Sequence, residues 1–263
     1  MNLLDRAKAA LWKRSESKHD SQGHVSDPAE NLLGDLAPGI IKAEYSEGSG
    51  QEWPLKICAV HSSAALTANT FGRWKLEPTR LKILGLSGFH SVRLEAKCAT
   101  GLKGTPPNLD VLLESSRIVV GIESKLLEPL TLKKPQFSPS YSLENLPRCE
   151  KVWWYLLCDV RNWPPSHLDA AQLIKHYLGL RKKYQDGRQV YLVYLYWKPL
   201  NAESFPEYRR HEEEIKRFHD AVAGKSEIQL VAMDYLQLWD SWEQNPELAE
   251  HTHLLKKRYC TDI

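Results

Sequence analysis

The chain has 263 residues, 42% of them hydrophobic, which suits one large globular domain with a substantial core. Its 35 Lys and Arg against 33 Asp and Glu give a net charge of +2, which excludes a uniformly basic nucleic-acid coat and leaves such contacts to local patches. Five scattered cysteines, odd in number and without C-x-x-C spacing, exclude a disulfide framework and a zinc knuckle and fit a reduced cytoplasm.

In chain order, Leu3, Leu4, Ala7, Leu11 and Trp12 recur at helical spacing, so residues 2 to 14 read as a short amphipathic helix. Asp5, Arg6 and Lys8 interrupt it, so it is no signal-peptide core. The polar run S-E-S-K-H-D-S-Q-G-H-V-S-D-P-A-E then reads as a linker, giving an N-terminal arm over 1–30 and one folded domain over 31–263. From Cys58, Ser62 or Ser63 is a candidate N-cap, with Leu66, Asn69 and Phe71 on a helix that Gly72 stops.

Val92, Leu94 and Ala96 alternate with Arg93, Glu95 and Lys97, the period of a half-buried strand. After a loop rich in Gly and Pro come L-D-V-L-L-E and R-I-V-V-G-I-E-S-K, separated only by Ser115 and Ser116, and these should pair as an antiparallel hairpin. Residues 128–148 hold four prolines and read as an irregular excursion placed to fold over a site. The second half alternates: helices near E-K-V-W-W-Y-L-L and from 166 to 183, a strand at V-Y-L-V-Y-L-Y-W, a helix at E-Y-R-R-H-E-E-E-I-K-R-F-H-D-A-V and a strand at I-Q-L-V-A-M. Even the longest apolar run ends at Trp197, far short of the roughly 20 residues that cross a bilayer, so a membrane role is not expected.

The chemistry concentrates on Asn108 to Lys125. Side chains at i and i+2 of a strand share a face, so Glu123 and Lys125 project together, and the hairpin brings Asp110 alongside. Two converging carboxylates repel unless a cation lies between them or one is protonated. Hard oxygen donors select Mg²⁺, with Mn²⁺ as a substitute, and Mg²⁺ accepts one or two carboxylates while keeping water and phosphate oxygens. That is a ligand set suited to phosphodiester cleavage, with Lys125 as the amine that orients water or stabilises charge.

Spacing D-x₁₂-E-x-K alone is weak, and its context strengthens it: the acid follows P-P-N-L, E-x-K closes the apolar strand I-V-V-G-I, and a helix and a strand precede both. The chain resembles the PD-(D/E)XK nuclease superfamily and its restriction-endonuclease-like members. The resemblance implies an α/β fold, a restriction-endonuclease-like αβββαβ core with a mixed central sheet flanked by helices. It implies a catalytic trio of Asp110, Glu123 and Lys125 and a metal held by Asp110, Glu123 and Ser124. The signature proline is displaced to Pro107, three residues before the aspartate.

Glu95 is either a further metal carboxylate, as in many relatives, or a solvated strand residue paired with Arg93 or Lys97. The helix before the strands offers Ser62, Ser63, Thr67 and Asn69 in place of the glutamate found in several branches. Gln172 and His176, at i and i+4, resemble a Q-x-x-x-Y motif with His in place of Tyr and are candidate substrate-binding groups; a plain polar helix edge is the competing reading for the histidine. His251 and His253 read as surface residues or caps, and most of the nine tryptophans as core. Basic clusters at 133–134, 181–183, 209–210 and 256–258 each read as solvated surface unless several line one groove with the trio.

No G-x-x-x-x-G-K-[ST], G-x-G-x-x-G or G-x-S-x-G occurs, so no nucleotide cofactor is expected. The resulting expectation is a Mg²⁺-dependent endodeoxyribonuclease acting on DNA, with a homodimer as the simplest way for one site per chain to cut both strands. The alternatives are an RNA-directed nuclease and a nuclease fold serving as a binding or assembly subunit in a defence or repair complex.

Overall fold

The computed structural model describes residues 1–48 and 51–263. Helices α1 (Leu3–Arg14), α2 (Pro38–Glu47) and α3 (Ser63–Phe71) precede strands β1 (Ser91–Lys97), β2 (Asn108–Glu114) and β3 (Ile118–Lys125). Then follow α4 (Lys151–Val160), α5 (Ala170–Lys183), β4 (Gln189–Tyr196), α6 (Pro206–Val222), β5 (Ile228–Asp234), α7 (Tyr235–Glu243) and α8 (Ala249–Tyr259). The strands form one sheet in chain order, antiparallel from β1 to β3 and parallel from β3 to β5. This is the expected mixed sheet, and α3, β1, β2, β3, α5 and β4 supply the αβββαβ order.

Helices cover both faces, so the inner strands are buried on both sides and read as continuous apolar runs. On one face Leu66, Phe71, Tyr235, Trp239 and Leu255 pack on Val111, Val120, Ile122 and Val193. On the other, Trp153, Leu157, Ile174, Tyr177 and Phe218 pack on Leu112, Val119 and Leu192. Each face buries several large aromatics, and apolar burial at about 25 cal/mol per Å² is the dominant stabilising term.

Local signals set the ends of these elements. Ser62 caps α3, its Oγ accepting from Ala64 and Ala65 N–H at 3.1 and 3.4 Å. The α5 helix starts at Ala170, later than its periodicity suggests, because the Asp169 carboxylate caps it by accepting from Gln172 N–H. Gly179 lets α5 approach β1: a Cβ there would lie 2.2 Å from the Cys98 carbonyl oxygen.

Ala7 and Leu11 of α1 are buried in the first core cluster, and Arg258 of α8 donates to the Leu11 carbonyl at 2.9 Å. The polar stretch after α1 is tied to the body by Val25 N–H to Cys58 O and Val60 N–H to Gly23 O, at 3.0 and 2.9 Å. His251 is a correction to the surface reading: α8 turns it inward against Trp74 and Trp242, because neighbours distant in sequence supply the apolar wall. Among the described residues no helix is long and apolar enough to cross a membrane.

Candidate active site at the ends of β2 and β3

Three carboxylates lie in one row across the first three strands. Leu94 pairs with Val111 and Ala96 with Leu109, which sets Glu95 opposite Asp110. Val111 pairs with Ile122, and one further step sets Asp110 opposite Glu123. The β2–β3 pairing stops there because the Asp110 side chain takes over: its Oδ2 accepts the Ser124 N–H at 2.6 Å.

Glu95 occupies this row at a backbone cost. Its φ is +49°, the left-handed region that a non-glycine residue rarely adopts in mid-strand, and such strain persists only where the surroundings enforce it. The flip breaks the alternation, so that Leu94 joins one core face and Ala96 the other. Asn108 Nδ2 donates to Glu95 Oε2 at 3.2 Å, so Glu95 does not take the solvated pairing with Arg93 or Lys97: Arg93 pairs with Glu114 instead.

Beyond the row, Glu123 and Lys125 share a face as the strand period requires. Glu123 is almost wholly buried, with one oxygen accepting from the Lys125 ammonium and the other 2.6 Å from His176 Nε2. Lys125 also donates to Gln172 Oε1 at 2.8 Å. The i, i+4 pair on α5 thus acts as a unit, Gln172 on the lysine and His176 on the glutamate. His176 is fully enclosed with Nε2 engaged by Glu123, so in this arrangement it reaches the site only through Glu123.

Ser124 points to the opposite face. Its Oγ accepts from Thr67 Oγ1 at 2.8 Å and lies 2.6 Å from the Tyr235 hydroxyl, so α3 and α7 hold it and its hydroxyl is not turned toward the acids.

A cavity of about 370 Å³ opens over the row, lined by Glu95, Asp110, Glu123, Lys125 and Gln172 and also by Glu52, Lys56, Glu128 and Lys133. The excursion after β3 does reach it, through Glu128 and through Lys133, whose backbone pairs with Ser166 in both directions. Of the basic clusters only Lys133 lines this cavity. Arg181 pairs with Glu227, Lys256 with Asp240 and Glu243, and Arg258 is a buried structural residue. Glu128 follows Lys125 by three residues and accepts from Leu126 N–H at 2.7 Å, whereas Glu52 and Lys56, paired with each other, meet the trio only through tertiary folding.

The charges are unevenly compensated. Burial and the neighbouring Glu123 push Asp110 well above the ordinary aspartate range, and burial with Glu52 lifts Glu95 to about 7. Burial also works against ionised Glu123, yet Lys125 and His176 outweigh it and hold that carboxyl at about 2. Burial works against charged Lys125, but Glu123, Glu128 and Asp110 outweigh it and raise its pKa, so it stays an ammonium.

Among the described residues no three His, Cys, Asp or Glu side chains group closely enough to enclose a metal unaided. Mg²⁺ needs no such cage, since one or two carboxylates suffice with water and phosphate completing the shell. Asp110 and Glu95 are hard oxygen donors beside a polar cavity; burial and neighbouring acids disfavour their ionised forms, a penalty that a divalent cation there would offset.

A mixed five-stranded sheet between helical layers, with the acids and lysine at the ends of its second and third strands, defines a restriction-endonuclease-like α/β core. The chain belongs to the family described as Restriction Endonuclease associating with ARP, whose model matches residues 5–260. No curated protein and no solved structure matches it.

Proposed function

We propose that this protein is a divalent-metal-dependent endonuclease of the PD-(D/E)XK superfamily that hydrolyses DNA phosphodiester bonds. The observation that carries the reading is the row Glu95, Asp110, Glu123 with Lys125 beside it, open on one cavity. Family membership supports it independently.

Asp110 and Glu123 are the residues that would hold Mg²⁺ or Mn²⁺, with Glu95 as the further acid. A divalent cation bound there supplies Lewis-acid polarisation of the phosphate and a more acidic water. Lys125, kept protonated, is a donor and not a general base: it steadies the attacking water or the charge developing on a phosphate oxygen. Gln172 fixes Lys125 through its carboxamide oxygen, and its nitrogen, unpartnered among the described residues, is left to donate to a phosphate oxygen. His176 holds Glu123 in place.

A second reading has support of its own: the family description names an association with ARP, and both Glu123 oxygens are already engaged by Lys125 and His176. In it the nuclease fold serves mainly as an assembly subunit. Incubating supercoiled plasmid, single-stranded DNA and RNA with Mg²⁺, Mn²⁺ or EDTA separates the two. The nuclease reading expects metal-dependent nicking of DNA that Asp110→Ala and Lys125→Ala both abolish. Folded protein that cuts no substrate with either metal overturns it in favour of assembly, and cleavage confined to RNA replaces the substrate.

A further inference from the structure

Beside the catalytic cavity lies a second hollow, of about 480 Å³, which the trio does not use; Lys56, Ser63 and Glu128 line both, so the two spaces adjoin. Its size falls within the range of ligand sites, roughly 300–1,000 Å³. Leu4 of α1, Leu55 and Leu127 supply an apolar wall, and Leu55 is 61% exposed and belongs to neither core cluster.

Two imidazoles complete that wall. His24 and His61 line the hollow with their rings 6.2 Å apart and close to edge-on. Trp12 Nε1 donates to His61 Nδ1 at 3.0 Å, so that nitrogen is the acceptor and the ring proton sits on Nε2, which has no partner among the described residues. Burial, and then the charge of Lys8, hold His61 down to about 4, so it is a neutral donor near pH 7.

An apolar wall, neutral aromatic rings and a free N–H suit a nucleobase, which has π-faces and ring or carbonyl acceptors. Lys8 and Lys56, at the same hollow, suit the phosphates on either side of it. A paired duplex keeps its bases stacked inside, so a base reaches such a hollow only from a single strand or by leaving the stack. We propose that this hollow binds an unpaired nucleobase next to the cleaved phosphate, which makes single-stranded or locally unpaired DNA the form of substrate. The proposal rests on the DNA-cleaving reading above and adds the form of its substrate.

The test is fluorescence anisotropy with the full chain at low salt in EDTA, where the metal-dependent reading expects no cleavage. Three labelled probes of equal length carry the distinction: oligothymidylate, a strand of abasic nucleotides with the same phosphates, and a blunt duplex. Wild type should bind oligothymidylate at least about 5-fold more tightly than the abasic strand, the lower end of base–aromatic stacking, and more tightly than the duplex. Leu55→Ala, at an exposed position outside the core, and His61→Ala should each lower the thymidylate affinity toward the abasic value and leave the abasic affinity unchanged. Circular dichroism confirms folding, and Leu55→Ala keeps the test decisive if His61→Ala, which also loses the Trp12 bond, does not fold. Equal binding of thymidylate and abasic strands, tighter binding of the duplex, or a base preference that either folded variant keeps in full overturns the base site and leaves the nuclease reading standing. No binding of any probe, in EDTA or with Ca²⁺, overturns both.

Discussion

Replacing Glu95 by Gln should stabilise the metal-free protein at alkaline pH and leave it unchanged in acid. Burial and Glu52 raise the Glu95 carboxyl from 4.5 to about 7. A raised folded-state pKa means stability that is full below 4.5 and is lost as pH climbs through about 7. At about 1.4 kcal/mol per pH unit across that window, ionised Glu95 costs the fold about 3 kcal/mol at pH 8. Glutamine removes the charge, keeps an oxygen for Asn108 Nδ2 and leaves the backbone at +49° as strained as before. Thermal melts in EDTA should therefore coincide near pH 4.5 and separate by roughly 5–10 °C at pH 8, the variant melting higher. Added Mg²⁺ should close the gap by stabilising wild type more. Equal melting at both pH values, or a gap that widens in acid, would refute the reasoning.

Three further outcomes follow from particular contacts. His176→Ala strips one partner from buried Glu123 and should cost about 3–5 kcal/mol in urea unfolding while lowering cleavage; a loss below about 1 kcal/mol contradicts the role given to it. Gly179→Ala drives a methyl against the Cys98 carbonyl and should destabilise by about 3 kcal/mol or more in the same assay, carrying Gln172 and His176 out of place with α5; a near-native unfolding midpoint would show that α5 has room to shift. His211, held down to about 3 by burial and then by His167, stays neutral in the folded chain while the unfolded chain protonates near 6.5. Stability present above pH 6.5 should thus fall toward pH 3, and His211→Gln should flatten that acid limb in pH-dependent melts.

Much of the fold is legible in local pattern. The two-residue period of 92–97, the hairpin across Ser115 and Ser116, and the apolar runs of β4 and β5 each declare a strand, the first by alternation and β4 by an unbroken run that suits burial on both faces. The helices α2, α7 and α8 are less legible: α7 begins directly where β5 ends, with no loop to mark it, and its start depends on a capping box between Asp234 and Gln237. The candidate site divides in the same way. Asp110, Glu123 and Lys125 follow from strand period and register, and Gln172 with His176 from helix period. Glu52 and Lys56 lie outside the α-helices and strands, and three-dimensional folding sets them beside Glu95. The row itself depends on the left-handed turn of Glu95, which is a tertiary effect that alternation would have argued against.

The near-neutral net charge has a consequence for DNA binding that salt can measure. Several cations outside the site are paired with local acids: Arg181 with Glu227, Arg217 with Asp159, Lys256 with Asp240 and Glu243, Lys257 with Glu16. Around the cavity, Lys56 and Lys133, paired with Glu52 and Asp169 but half-exposed, line its wall, and Lys8 lines the adjoining hollow of about 480 Å³ that shares Lys56, Ser63 and Glu128 with it. Three such contacts with duplex phosphates give a slope of log affinity against log salt near −2.7, or about a 40-fold loss between 50 and 200 mM salt. Fluorescence anisotropy with a labelled duplex in EDTA reads this directly, and Lys133→Ala should reduce the slope by about one. A markedly steeper slope would place the DNA on a second basic surface or across a dimer. Absence of binding even at low salt would favour the assembly reading, in which the groove waits for a partner to supply the missing positive charge.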